Sequence, residues 1–137
     1  MKAPFWGTGG LASTNAKGGE LALHVERNLL CSVVVGHFDQ ALADQIMRRG
    51  TSLADECGKI IVFSDWYRMS SYESSCRSTM TSWGVGLGPR LLAFHVTAGA
   101  GMVKMGLSVA RILVPSLHLH SSPAAFVAAY QAEQRLT

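Results

Sequence analysis

The residues with the widest chemical reach lie between positions 65 and 77. Asp65 is followed by Trp66-Tyr67-Arg68, and then by Ser70-Ser71-Tyr72-Glu73-Ser74-Ser75-Cys76-Arg77. Two adjacent hydroxyls behind a carboxylate, where a helical pattern begins, suit two tasks. Ser71 or Ser74 can act as an N-cap for unpaired backbone N–H groups, a contribution of about 1 kcal/mol. Ser74 and Ser75 also suit modification: a phosphoryl group brings about −1.5 to −2 charge, and helix N-termini favour anions. Arg68 and Arg77 are near enough in sequence to add charge-assisted bonds to such a group. Asp65 and Glu73 do not read as a catalytic carboxylate pair.

Other reactive residue types fall into weaker patterns. His118 and His120 share one face of a short strand, but a metal site needs three or four ligands. No third ligand is identifiable, so they read as solvent-facing or interface histidines, and no metal is implied. His95 reads as a satisfied core or edge residue. Cys31, Cys57 and Cys76 form no CxxC and no cluster with zinc-ligand spacing, which suggests reduced, mostly buried thiols. Gly84-Val85-Gly86-Leu87-Gly88 follows a helix and precedes a strand, the reverse of the dinucleotide fingerprint, and reads as a helix stop. Gly99-Ala100-Gly101 has no lysine at the phosphate-loop position and reads as a tight turn. No Gly-x-Ser-x-Gly elbow or assembled triad is present. No cofactor and no enzymatic activity are implied.

The elements that must position these residues follow from periodicity. Residues 1–19 are rich in Gly, Ser, Thr and Asn, and read as a flexible arm carrying Phe5 and Trp6. The domain is expected over 20–137. Leu21, Leu23 and Val25 alternate with polar or small neighbours, as in a half-buried strand. Arg27-Asn28 is a turn, and Leu29 to Val35 is a buried strand. Asp39 caps a helix with Leu42, Ile46, Leu53 and Cys57 on one face, stopped by Gly58. Lys59 to Phe63 is a short buried strand with Asp65 at its end, followed by the hydroxyl-rich loop. The next helix carries Cys76, Met80 and Trp83 on one face, and Leu91 to Val96 is the fourth strand. A helix over 102–112 places Met102 and Met105 inward. Leu117 and Leu119 face inward from a fifth strand. Ser122-Pro123 starts a last helix with Phe126, Val127 and Tyr130 inward.

This order, β-β-α-β-α-β-α-β-α, predicts an α/β fold with a mixed, mostly parallel sheet of about five strands and about four helices. The order and the lengths resemble the STAS-like domains, in particular the SpoIIAA-like, anti-sigma-factor antagonist-like branch. Asp65, the loop after it and Glu73-Ser74-Ser75-Cys76 fall where that family has an aspartate, a loop and Asp-Ser-Ser-Gly. Glu73 and Cys76 depart from that motif on both sides of the serines. The resemblance implies a bacterial, non-catalytic regulatory domain, a partner that is another protein (a regulator or kinase) or a second copy, and Ser74 as the phosphorylated position. A homodimer or other homo-oligomer is expected. The alternative is a small apolar ligand held between helices and sheet by Met80, Trp83, Met102 and Met105.

Composition narrows the classes. In 137 residues, hydrophobic types make up 48% and charged types 15%, a core-rich profile for one domain. The net charge of +3 is scattered, without the basic patch that nucleic-acid binding requires. No leader pattern and no run of about 20 apolar residues is present, so neither secretion nor a membrane span is expected. The expected location is cytoplasmic.

Overall fold

The expected hairpin is present, and a further strand precedes it. The computed structural model describes residues 11–99 and 116–136. The elements are β1 (Leu11–Thr14), β2 (Glu20–Glu26), β3 (Leu29–Phe38), α1 (Gln40–Cys57), β4 (Ile60–Tyr72), α2 (Ser74–Leu87), a single 3-10 turn (Gly88–Arg90), β5 (Leu91–Ala98), β6 (Leu117–His120) and α3 (Pro123–Leu136). All six strands form one sheet in chain order. β1, β2 and β3 pair antiparallel, whereas β3 through β6 run parallel. α1 and α2 each join neighbouring parallel strands in the same direction. Right-handed crossovers therefore place both on one face, and α3 covers the other.

The local signals behave as their chemistry requires. Asp39 accepts from the Leu42 N–H at 3.1 Å and caps α1. Gly58 ends it at φ +84°, with its N–H on the Ala54 carbonyl, a conformation that glycine adopts without strain. Ser122 Oγ accepts from the Ala125 N–H at 3.2 Å, one residue before the proline that opens α3. Arg27 makes the two-residue turn between β2 and β3 with φ +55°.

Four expectations need correction or limits. First, the flexible arm expected over 1–19 is in part structured: Leu11–Thr14 pairs with β2 as the edge strand. Gly18-Gly19 serves a turn rather than a linker. Asn15 Oδ1 accepts from the Lys17 and Gly19 N–H groups, and its amide donates to the His37 carbonyl. A Cβ on Gly19 would collide with that same carbonyl. Second, Asp65 does not end a strand and no loop follows it, since β4 continues to Tyr72. That extension is held by β3, where Gly36 faces Met69 and Phe38 faces Tyr72, a non-local pairing that propensity does not report. Third, Cys57 is exposed at the end of α1, unlike the buried Cys31 and Cys76. Fourth, six strands and three α-helices lie among the described residues, where about five and about four were expected. The helix expected over 102–112 and the Phe5-Trp6 pair lie outside the described residues.

The larger core lies between the sheet and α1/α2. It joins Leu30, Val34, Val62 and Val96 to Leu42, Ile46, Cys76 and Met80. Fully burying each large aliphatic side chain contributes about 1.5–3 kcal/mol. Gly50 explains how closely the helices meet. A Cβ there would collide with the Trp83 ring and come within 3.1 Å of Leu30, so its absence seats the indole against α1. The Trp83 indole N–H donates to Thr51 Oγ1 at 2.9 Å. The second core is smaller. α3 lays Phe126 and Tyr130 across Phe63, edge-on, with centroids 5.7 and 5.2 Å away.

Candidate functional site

The sequence singled out the start of α2, and the fold places it beside the start of α1. β3 and β4 are parallel neighbours ending at Phe38 and Tyr72, which face each other in register. Their following helices therefore open side by side. The Phe38 carbonyl accepts from the Glu73 N–H at 3.0 Å and lies 3.7 Å from the Cys76 thiol. Glu73 occupies the N-cap position of α2 but makes no side-chain bond to its own helix. Its carboxylate instead accepts from the Gln40 N–H at 2.8 Å, at the start of α1. Gln40 completes the junction. Its amide donates to Asp44 at 2.8 Å, and its oxygen lies 3.3 Å from the Thr79 hydroxyl. The departure from aspartate to glutamate thus has a structural use: the longer side chain reaches the neighbouring helix.

Ser74 and Ser75 are exposed in the first turn of α2, and Arg77 is exposed one turn after Ser74. Neither Ser71 nor Ser74 is the N-cap. Ser71 is still in β4, with its hydroxyl 2.7 Å from His37 Nδ1. Arg68 is exposed on the distal part of β4. Asp65 is not part of this cluster. It is buried, and its carboxylate accepts from the Tyr67 N–H at 3.1 Å inside an irregularity where Asp65 faces Val33 but Arg68 faces Val35. Cys76, standing in place of the glycine, is fully buried. Burial, reinforced by the charges of Glu73 and Asp39, pushes its thiol up to about 11. The helix N-terminus would otherwise favour thiolate. Here the thiol stays protonated and packs.

No family model matches the sequence, and no curated protein matches it. Solved structures do match. One is an uncharacterized protein of the DUF3478 family with a SpoIIAA-like fold from Shewanella loihica PV-4. It superposes at a TM-score of 0.60 with 12% identity, over 85% of this chain and 96% of that one. This chain has a SpoIIAA-like, STAS-like fold. An anti-sigma factor antagonist from Mycobacterium paratuberculosis matches at a TM-score of 0.58 with 14% identity, over 85% of this chain and 97% of that one. At such identities the likeness is one of fold.

In this SpoIIAA-like sheet two further expectations meet the structure. Of the residues proposed to line an apolar pocket, Met80 is buried in the main core and Trp83 fills the space above Gly50. Met102 and Met105 lie outside the described residues. The histidines are more informative. β6 pairs with β5 so that His95 faces His118 and Thr97 faces His120. His95 is 9% exposed. Its ring stacks between Phe63 at 4.4 Å and the rings of His118 and His120 at 4.9 and 5.1 Å. His95 Nδ1 and His120 Nε2 are 2.9 Å apart. Burial first, then the two neighbouring imidazoles, lowers the His95 pKa to about 4, and burial lowers that of His120 too. Sequence reading had two histidines and no third. The available signal was parity: His95 and Thr97 alternate with apolar Phe94 and Val96, as His118 and His120 alternate with Leu117 and Leu119.

Proposed function

We propose that this domain is a regulatory protein-interaction module rather than an enzyme, and that its partner docks over the junction where α1 and α2 begin. The observation that carries this reading is the pairing of exposed Ser74 and Ser75 with an α2 N-terminus whose N-cap side chain is engaged elsewhere. The anti-sigma factor antagonist among proteins of the same fold supports it. The partner is another protein, a regulator or kinase, or a second copy of the chain.

Phosphorylation of Ser74 is the proposed switch. The phosphate would meet the open N–H groups of α2, which attract an anion. It would also stand beside the Glu73 carboxylate, and like charges repel. One modification thereby rewards the start of α2 and opposes the grip of Glu73 on Gln40, changing the surface offered to a partner. The test is affinity capture from the native host using wild type, Ser74→Ala and Ser74→Asp, together with intact-mass analysis of the native protein. The expected result is a phosphorylated fraction and at least about tenfold lower retention of a specific partner by Ser74→Asp, the usual scale for a charge placed in an interface. Only unmodified protein, together with unchanged partners for Ser74→Asp, would remove the reading.

A further inference from the structure

α3 is fastened to the sheet at both ends by groups that change protonation in acid. Along its length, Phe126 and Tyr130 rest edge-on against Phe63. Near its start, the Phe126 ring also meets His120 edge-on at 6.1 Å, and His120 Nε2 stands 2.9 Å from His95 Nδ1. Toward its end, Glu26 on β2 accepts from the Tyr130 hydroxyl at 3.2 Å and from the Gln134 amide at 3.0 Å. The Arg27 guanidinium donates to the Gln134 carbonyl at 3.0 Å.

The hydrogen bond between the two imidazoles limits how many protons they can hold. A neutral imidazole has one donor and one acceptor nitrogen, whereas both nitrogens of an imidazolium donate. The 2.9 Å contact therefore tolerates one added proton and not two. Burial opposes even the first, since His95 is 9% exposed and a charge is costly there. The His118 ring, stacked on His95 at 4.9 Å, is a third group that would repel. The other groups facing the pair among the described residues are Phe63 and Asp65 on β4, Thr97 on β5 and Phe126 on α3. Thr97 separates the Asp65 carboxylate from His120 in one cross-strand row, and that carboxylate accepts from the Tyr67 N–H. Glu26 is faced by Gln134, Tyr130, Arg27, His24 and Cys31. Its charge strengthens both bonds from α3.

We propose that α3 is an acid-released flap: protonation at its two ends, the His95–His120 pair first and Glu26 after it, lifts α3 from the sheet while α1 and α2 stay seated.

The order follows from the groups themselves. Burial first, then His118 and His120, lowers His95 from 6.5 to about 4. Burial and His118 lower His120 as well. Lifting α3 returns these rings to water, where they take up protons at about pH 6.5. The seated state is therefore fully favoured above pH 6.5 and is lost as pH falls toward 4. Each proton taken up on lifting shifts that balance by about tenfold per pH unit. Glu26, held below its usual 4.5 chiefly by Gln134, fastens the far end until lower pH. Once lifted, α3 uncovers an apolar face that includes Leu29, Ile61 and Phe63.

Two buried thiols report on the two faces. Cys31 lies beneath α3 beside Tyr130, and Cys76 faces the larger core from α2. Burial pushes them up to about 12 and about 11, so each is inert while covered. The test uses the full chain in a Cys57→Ser background, because Cys57 is exposed. It is reacted with dithiodipyridine, a disulfide that still labels thiols in acid, from pH 7.5 to 4.5, and the labelled cysteine is identified by peptide mass. Labelling of Cys31 relative to Cys76 should rise at least about tenfold between pH 7.5 and 5. His95→Phe, whose ring does not titrate, should remove most of that rise. Glu26→Gln should speed Cys31 labelling already at pH 7.5. Equal labelling of the two cysteines across the whole range, or a rise that His95→Phe leaves unchanged, overturns the proposal. Neither outcome bears on Ser74.

Discussion

Beneath α1 and α2 the sheet contributes Leu30, Val34, Val62, Phe94 and Val96, and the helices answer with Leu42, Ile46 and Met80. Beneath α3 the same strands turn Cys31, Phe63, His95 and Thr97 to the other side, with His118 and His120 beside them. Alternation along each strand makes the two sets inseparable, because every residue on one face has neighbours on the other. The first face is a dry core whose strength scales with apolar area. The second covers fewer aliphatics, relies on stacked rings, and buries groups that titrate. Between pH 4 and 7.5, where the Cys76 thiol stays protonated, stability drawn from the first face is insensitive to proton concentration. Stability drawn from the second is linked to it.

That contrast can be broken most directly at Phe63, the fully buried ring on which His95, Phe126 and Tyr130 all rest. Phe63→Ala is expected to cost about 3–5 kcal/mol in urea unfolding, slightly more than the about 2–5 kcal/mol for Leu30→Ala on the other face. If Phe63→Ala were nearly neutral, α3 would not be anchored as described.

The next effect is the pH dependence. His95 has its folded pKa lowered to about 4 from 6.5. As pH falls below 6.5 the unfolded chain takes up a proton that the folded chain refuses, so stability is full above pH 6.5 and lost toward pH 4. At about 1.4 kcal/mol per pH unit, the loss reaches up to about 3 kcal/mol. Glu26 acts lower. Its carboxylate is held below its usual 4.5 by Gln134, then by Tyr130 and Arg27, so its contribution is lost only as pH falls through that range. Denaturation midpoints measured from pH 7.5 to 4 should therefore slope down in wild type. His95→Phe should flatten that slope, whereas Leu30→Ala should lower the whole curve without changing it. An unchanged slope in His95→Phe would refute the distinction between the faces.

The smallest effect sharpens the dry face. Gly50→Ala raises helix propensity by about 1 kcal/mol, but its methyl meets the Trp83 ring. Overpacking of this kind costs about 1–3 kcal/mol, so a net loss of about 1 kcal/mol is expected, with altered Trp83 fluorescence. A stabilised variant would mean that the ring moves aside freely.

Much of the fold was legible because its signals are local. Asp39, Gly58 and Ser122-Pro123 act on their own backbone within a few residues, and they set helix ends correctly. Cys76, Met80 and Trp83 were legible as an inward-facing stripe for the same reason: a helix repeats within one turn. The candidate site was legible in place but not in connection. Ser74 and Ser75 stand at a helix start, as read. That Glu73 serves α1 depends on Gln40, which lies more than thirty residues away and becomes a neighbour only because β3 and β4 are parallel.

By itself the sequence determined the order of the described elements after β1, the class of sheet, the caps of α1, the start of α3 and the exposed serines, since each follows from periodicity or from chemistry within one turn of chain. Only the tertiary structure decided that β4 runs on through a polar stretch to Tyr72, that Asp65 is buried within it, and that His95 joins His118 and His120. All three rest on hydrogen bonds between strands distant in sequence. The side chains on such strands are brought together by sheet register, which no single segment encodes.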